Sequence, residues 1–135
     1  MPKSMLLEFT SLSVQSLAEF GTHKNGVCVM KSLLRALSRA ENNQADCETS
    51  NLILSMIIQC TFELINNEFG NYLIQEAYER FGAERLFYLN QIVYLNVYRF
   101  SLEKTSSNVV IQCLKKYWVG YPELYACVEN SLEPD

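Results

Sequence analysis

Apolar residues recur at three- and four-residue steps along almost the whole chain, as in Leu33/Leu37, Ile53/Ile57, Phe69/Leu73/Ala77/Phe81 and Leu89/Val93/Val97. That period puts them on one face of a helix, and no sustained two-residue alternation competes with it. The pattern predicts an all-α chain of about seven helices, over residues 5–19, 25–40, 51–65, 69–80, 84–98, 106–116 and 122–130. Gly21, Gly82 and Gly120 follow helical runs, where a glycine commonly ends a helix, and Pro122 suits a first helical turn. Residues 41–50 have no apolar period and carry Glu41, Asp46 and Glu48, which predicts a surface loop. The most apolar window, residues 52–65, is too short to span a bilayer and contains Gln59 and Glu63, so it reads as a buried helix.

The same periodicity repeats on a larger scale. Aligning residues 23–31 (HKNGVCVMK) with 67–75 (NEFGNYLIQ) superposes Gly26 on Gly70 together with the apolar pair that follows. Residues 104–111 (KTSSNVVI) form a third line, with Ser106 in the glycine position. Asn71 and Ser107 are 36 residues apart, and Val27 and Asn71 are 44 apart. The excess of eight is close to the length of the polar stretch 41–50. The period is therefore 36 with one insertion, each unit being a long first helix, a short connection and a second helix that opens with the aligned segment.

In the second unit Asn71 and Gln75 stand four apart on one face of that helix, with Tyr72 beside them. The apolar neighbours Phe69, Leu73, Ile74 and Ala77 account for the buried side, so the two amides are not required in the core. An amide pair at this spacing satisfies the donor and acceptor edge of a nucleobase, and an aromatic ring next to it stacks on a base face. The same three residues also read as a helix cap, an ordinary surface glutamine and a partly buried tyrosine.

The motifs carry a resemblance. Residues 67–75, with FGNYLIQ, resemble a repeat of the Pumilio (PUF) RNA-binding family, residues 106–114 (SSNVVIQCL) resemble its neighbouring repeat, and residues 23–31 are a more degenerate match to the repeat before them. The likeness runs from about residue 12 to residue 128. It implies a right-handed α-solenoid of Pumilio-type helical repeats at 5–41, 51–82 and 83–118, with a loop insertion at 41–50 and a part-repeat at 119–135. The inner helices would line a concave face and bind single-stranded RNA, one base per repeat, antiparallel to the chain.

In the family two side chains four apart read the base edge, and the residue after the first one stacks between bases. Carried over by motif, Asn71 and Gln75 read uracil with Tyr72 stacking. Ser107 and Asn108 match a guanine-type repeat, but Ile111 stands where a glutamate reads guanine and accepts no hydrogen bond. The first unit departs further, with Val27 and Lys31 at the edge positions and Cys28 at the stacking position. Lys31 has two readings, a contact to a phosphate or base acceptor and a solvated charge.

Charge qualifies this picture. Eleven basic residues against 15 acidic ones give a net charge of −4, the wrong sign for a protein that holds nucleic acid mainly by neutralising phosphates. The distribution is uneven, however. Lys24, Lys31, Arg35 and Arg39 lie in a stretch without acids, and Arg99, Lys104, Lys115 and Lys116 outnumber Glu103. Acids gather in residues 41–50 and in the tail, at Glu123, Glu129, Glu133 and Asp135. The inner surface is then less negative than the total, or the basic residues are ordinary solvated faces. Glu76 and Glu79 read as the polar side of an amphipathic helix.

Five cysteines, Cys28, Cys47, Cys60, Cys113 and Cys127, lie far apart with one histidine, His23, and no metal-ligand spacing. They read as reduced thiols, mostly buried, in the cytosol or nucleus. Glu8 interrupts the short apolar stretch after Lys3, against a secretory leader, and Met1 with the polar residues 131–135 is compatible with a complete chain. No nucleophile beside a base and no phosphate-binding glycine loop converges on a reaction, so neither an enzyme nor a cofactor or small-molecule substrate is expected. The leading expectation is sequence-specific binding of single-stranded, uridine-containing RNA. In the family this is typically the 3′ untranslated region of messenger RNA, whose translation or stability falls through recruited protein partners. The second expectation is a degenerate helical-repeat scaffold that binds protein and has little RNA affinity.

Overall fold

The structure is a computed structural model that describes residues 14–39 and 44–117. Within them the chain forms α1 (Val14–Gly21), α2 (Lys24–Arg39), α3 (Gln44–Gln59), α4 (Thr61–Ile65), α5 (Gly70–Arg80), α6 (Phe87–Leu95), α7 (Val97–Ser101) and α8 (Lys104–Tyr117), with no strand among the described residues. The expected helix at 122–130, the part-repeat at 119–135, residues 5–13, Cys127 and Gly120 lie outside them.

The 36-residue step is visible in the backbone. α3 ends at Gln59 and α6 at Leu95, and the short helices α4 and α7 have the same length and the same offset. Each long helix breaks at an equivalent residue, Cys60 (φ −110, ψ 25) and Asn96 (φ −115, ψ 19). At both breaks the amide is shared between two carbonyls, Met56 and Ile57 for Cys60 and Ile92 and Val93 for Asn96. The expected single helices over 51–65 and 84–98 are thus each two helices, because apolar spacing continues across the break and leaves the buried stripe in phase.

The inner helices of three successive units lie side by side: α2 packs along α5, and α5 along α8. α4 packs on α5 and α7 on α8, while α1 and α3 close over α2. One core runs through all units, from Leu17, Met30 and Leu34 through Ile57, Leu64 and Leu73 to Leu89, Val93 and Val109, each buried to 1% exposure or less. Between the second and third units Tyr78, Tyr94 and Asn90 surround the buried Cys113, whose thiol donates to Asn90 Oδ1 at 3.5 Å. Burial raises that thiol's pKa, against hydrogen bonds from both tyrosines that lower it. Burial likewise pushes the Cys60 thiol up to about 11.

Two expectations need correction. Residues 44–50 are helical and not loop, since α3 begins at Gln44. Their inward positions, the half-buried Cys47 and the buried Ser50, continue the stripe of Leu54 and Ile57 at helical spacing, but small and polar residues there give no hydropathy signal. The glycines also act differently from the way their positions suggested. No described glycine has a positive φ, so Gly21 and Gly82 are not left-handed caps.

Gly26 and Gly70 serve instead a close approach. The turn before each inner helix is the same three times: the amides of His23, Asn67 and Glu103 donate to the carbonyls of Phe20, Leu64 and Phe100. A Cβ at Gly26 would lie 2.1 Å from the Phe20 carbonyl oxygen, and one at Gly70 would lie 2.7 Å from that of Leu64. In the third unit Ser106 occupies this place, and its hydroxyl donates to the Phe100 carbonyl at 2.7 Å.

Gly70→Ala is expected to lower unfolding free energy by about 1 to 3 kcal/mol, the usual cost of overpacking. Ser106→Ala, which loses one hydrogen bond, should cost about 1 kcal/mol. Urea titration of both variants measures the difference. Iodoacetamide at neutral pH should modify the exposed Cys28 well before Cys60 and Cys113, as read by peptide mass mapping of the native protein.

Candidate nucleic-acid interface

Helix starts position the candidate residues. His23 Nδ1 accepts from the amides of Asn25 and Gly26 at 3.1 and 3.3 Å, and Asn67 Oδ1 accepts from those of Phe69 and Gly70 at 2.9 Å each. These are equivalent caps on equivalent helices, and each satisfies two orphan donors at a helix N-terminus. In the third unit a side chain from the unit before does part of this work, as Asn66 Oδ1 accepts from the Ser106 amide at 3.3 Å. The amides of Val27, Asn71 and Ser107 then all bond the carbonyl four residues back.

Burial repeats in the same phase. The first edge position is buried at Val27 and Asn71 and half-buried at Ser107. The stacking position is exposed in all three units, at Cys28, Tyr72 and Asn108. The second edge position is half-buried at Lys31 and Gln75 and exposed at Ile111. Because α2, α5 and α8 pack in order, these residues form a row across three helices.

Asn71, only 3% exposed, is more buried than its polarity suggested. Its Nδ2 donates to the carbonyls of Asn67 and Glu68 at 2.8 and 3.1 Å, and its Oδ1 accepts from Gln75 Nε2 at 2.8 Å. The short amide is satisfied by its own helix start and fixes the orientation of Gln75. The amide edge offered outward is therefore that of Gln75, beside the half-exposed Tyr72 ring. The Lys31 ammonium lies 5.7 Å from the centre of that ring, which joins the first unit to the second across the α2/α5 seam.

Glu76 requires a further correction. It is not a solvated charge: its side chain is 2% exposed, and two arginines hold it. Arg35 donates from Nε and Nη2 to Oε1 at 3.1 and 2.8 Å, and Arg80 donates from Nε to Oε2 at 2.8 Å. Burial alone would raise the carboxyl, but the two guanidinium groups outweigh it and hold Glu76 below the ordinary range. Glu79 remains exposed, as expected. Sequence reasoning missed this triad because Arg35 and Glu76 are far apart in the chain and meet only when two units stack. Lys116, counted among the basic residues of the third unit, reaches back to donate to the Tyr78 carbonyl of α5. No group of acidic, histidine and cysteine side chains among the described residues is placed to hold a metal ion. No helix among them is long and apolar enough to cross a membrane.

Sequence comparison finds no protein-family model and no curated protein that matches the chain. Solved structures do match. PUF-8 in complex with PBE-RNA superposes with a TM-score of 0.67 at 22% identity, over 88% of this chain and 31% of that one. The RNA-binding domain of yeast Puf5p bound to SMX2 RNA superposes with a TM-score of 0.64 at 19% identity, over 94% of this chain and 33% of that one. The chain is thus all-α with the fold of Pumilio-type helical repeats, and it spans about a third of the length of the solved structures it matches.

The depressed Glu76 carboxyl makes an acid-sensitive contribution. Stability from the triad is complete above the ordinary carboxylate range and is lost as pH falls through the lower folded-state value. Below about pH 4 the thermal midpoint of the wild type is expected to fall more steeply than that of Glu76→Gln. At neutral pH the variant should be less stable by about 1.5 to 3 kcal/mol, the usual worth of hydrogen bonds to a charged group. Melting curves across a pH series measure both.

Proposed function

We propose that the chain binds single-stranded RNA across the face formed by α2, α5 and α8. The observation that carries this reading is the row of exposed stacking positions, Cys28, Tyr72 and Asn108, in phase with half-buried or exposed second edge positions on three adjacent helices. The two solved structures of this fold named above are complexes with RNA, which supports the same reading. In it the second unit reads uracil: Gln75, oriented by Asn71, offers an amide edge, and Tyr72 stacks on the base. The repeats are those at 5–41, 51–82 and 83–118. The target is messenger RNA, with the 3′ untranslated region as the site and control of translation or stability, through recruited protein partners in the cytoplasm, as the outcome. The chain acts by binding and performs no catalysis.

Affinity is expected to be weak. Stacking contributes roughly 1 to 3 kcal/mol per base on aromatic surfaces, and Tyr72 is the one aromatic stacking residue in the row. About −4 kcal/mol corresponds to a millimolar dissociation constant. A second reading, a helical-repeat scaffold that binds protein, draws on Val27, which is buried and apolar, and on Ile111, which is 49% exposed with no hydrogen-bonding group to offer.

Fluorescence titration with UGUA-containing and uridine-rich RNAs at two salt concentrations separates the two. RNA binding predicts saturation, and a loss of about 1 to 3 kcal/mol for Tyr72→Ala. Asn71→Ala with Gln75→Ala should remove the preference for uridine. Unchanged affinity and preference in both variants would overturn the base-reading assignment, and no saturable binding at tens of micromolar protein would favour the scaffold.

A further inference from the structure

The α5 row that faces α2 runs from Tyr72 through Glu76 to Arg80, and the opposing α2 row runs from Lys31 through Arg35 to Arg39. The two rows meet in register, Lys31 over Tyr72 and Arg35 on Glu76. Charge thus lies about one helical turn, or about 5.4 Å, along the seam from the stacking ring. We propose that Arg35 and Arg80 form a clasp for a phosphodiester group of the same single strand whose base stacks on Tyr72. This rests on the RNA-binding reading above and adds a backbone site to it.

Three observations carry the clasp. First, one carboxylate holds two guanidinium groups, so the triad keeps a net positive charge. The carboxylate is buried, whereas the arginine side chains are 40% and 37% exposed. Glu79, which also acts on Arg35, formally balances this charge, and Arg39 one turn further on restores a net positive charge to the cluster. Second, donors remain. Among the described residues Arg35 Nη1 and both terminal nitrogens of Arg80 have no protein acceptor, since the bonds to Glu76 use Nε of each and Nη2 of Arg35. Buried Glu76 fixes the two planar forks in place, which lowers the ordering cost of binding a tetrahedral oxyanion. Third, Arg80 adds nothing to the join between units. Arg35 alone links α2 to α5 through Glu76, while Arg80 sits on the same helix as Glu76 and commits only its Nε to the buried carboxylate. Beyond neutralising Glu76, Arg80 keeps its terminal nitrogens to meet an anion outside the protein.

The test is a salt series of RNA titrations with the full chain, using a uridine-containing strand and a uridine-free strand of equal length. Each phosphate contact on single-stranded nucleic acid contributes about 0.7 to the slope of log affinity against log salt. Arg80→Gln is expected to reduce that slope by about 0.7 on both strands, so that a fourfold rise in salt costs the variant roughly 2.6-fold less affinity than it costs the wild type. Arg80→Lys, which keeps the charge, should keep the slope. Tyr72→Ala should lower affinity with the slope unchanged. Arg35 still bridges the units in both Arg80 variants, and thermal melts confirm that they fold. An unchanged slope in Arg80→Gln with uridine preference intact overturns the clasp and leaves base reading standing. A reduced slope without any uridine preference supports the clasp and overturns base reading. Absence of saturable binding to either strand overturns both.

Discussion

Three carbonyl groups set the geometry of this molecule. Those of Phe20, Leu64 and Phe100 each end a short helix, accept the amide that starts the next turn, and lie against the first residues of an inner helix. The approach is so close at Phe20 and Leu64 that only hydrogen fits in place of a side chain at Gly26 and Gly70. In the third unit the solution is a hydrogen bond from Ser106, which turns a steric limit into a polar contact. Glycine and serine are chemically unlike, yet both answer the same local demand, and that is why they align. With this turn fixed three times over, the inner helices leave their turns alike and pack side by side. The stacking and edge positions then fall in a row without any further device.

Electrostatics follows from that packing. A chain of net charge −4 has no general attraction for nucleic acid. The stacking of units places Arg35 against Glu76, and a buried acid is tolerable there only because two guanidinium groups bond it. The result concentrates positive charge at one seam while the acid that organises it is hidden from solvent. The total charge is thus a poor guide to the field at the inner helices, and the positions of the charges matter more than their sum.

Much of this was legible in the residues alone. Helix content, the 36-residue step and the phase of Asn71, Tyr72 and Gln75 follow from apolar spacing and the aligned FGNYLIQ and SSNVVIQCL segments. What was hidden has physical causes. The breaks at Cys60 and Asn96 leave the apolar stripe in phase, so spacing cannot reveal them. The start of α3 was masked because Cys47 and Ser50 fill inward positions without hydrophobic side chains. Glu76 reads as a surface charge in its own helix because its partner Arg35 lies in the preceding unit. Asn71 proved to be a buried, satisfied amide, since a helix-start side chain one methylene shorter than glutamine bonds its own backbone before it can reach outward.

That last point alters how the amide pair works. With both Nδ2 bonds of Asn71 committed to carbonyls and its Oδ1 accepting from Gln75, base reading as proposed for the second unit would fall on a single glutamine whose orientation is fixed from beneath. Fixing a rotamer before binding removes part of the entropy cost that a free glutamine would carry, and it favours one arrangement of donor and acceptor over its flip. Beside it Tyr72 is held from the neighbouring unit by Lys31. The first unit, which lacks a hydrogen-bonding edge at Val27, thus contributes by steadying the ring of the second. In the proposed RNA-binding reading, discrimination therefore concentrates in the second unit, and the first unit supports it by steadying the Tyr72 ring.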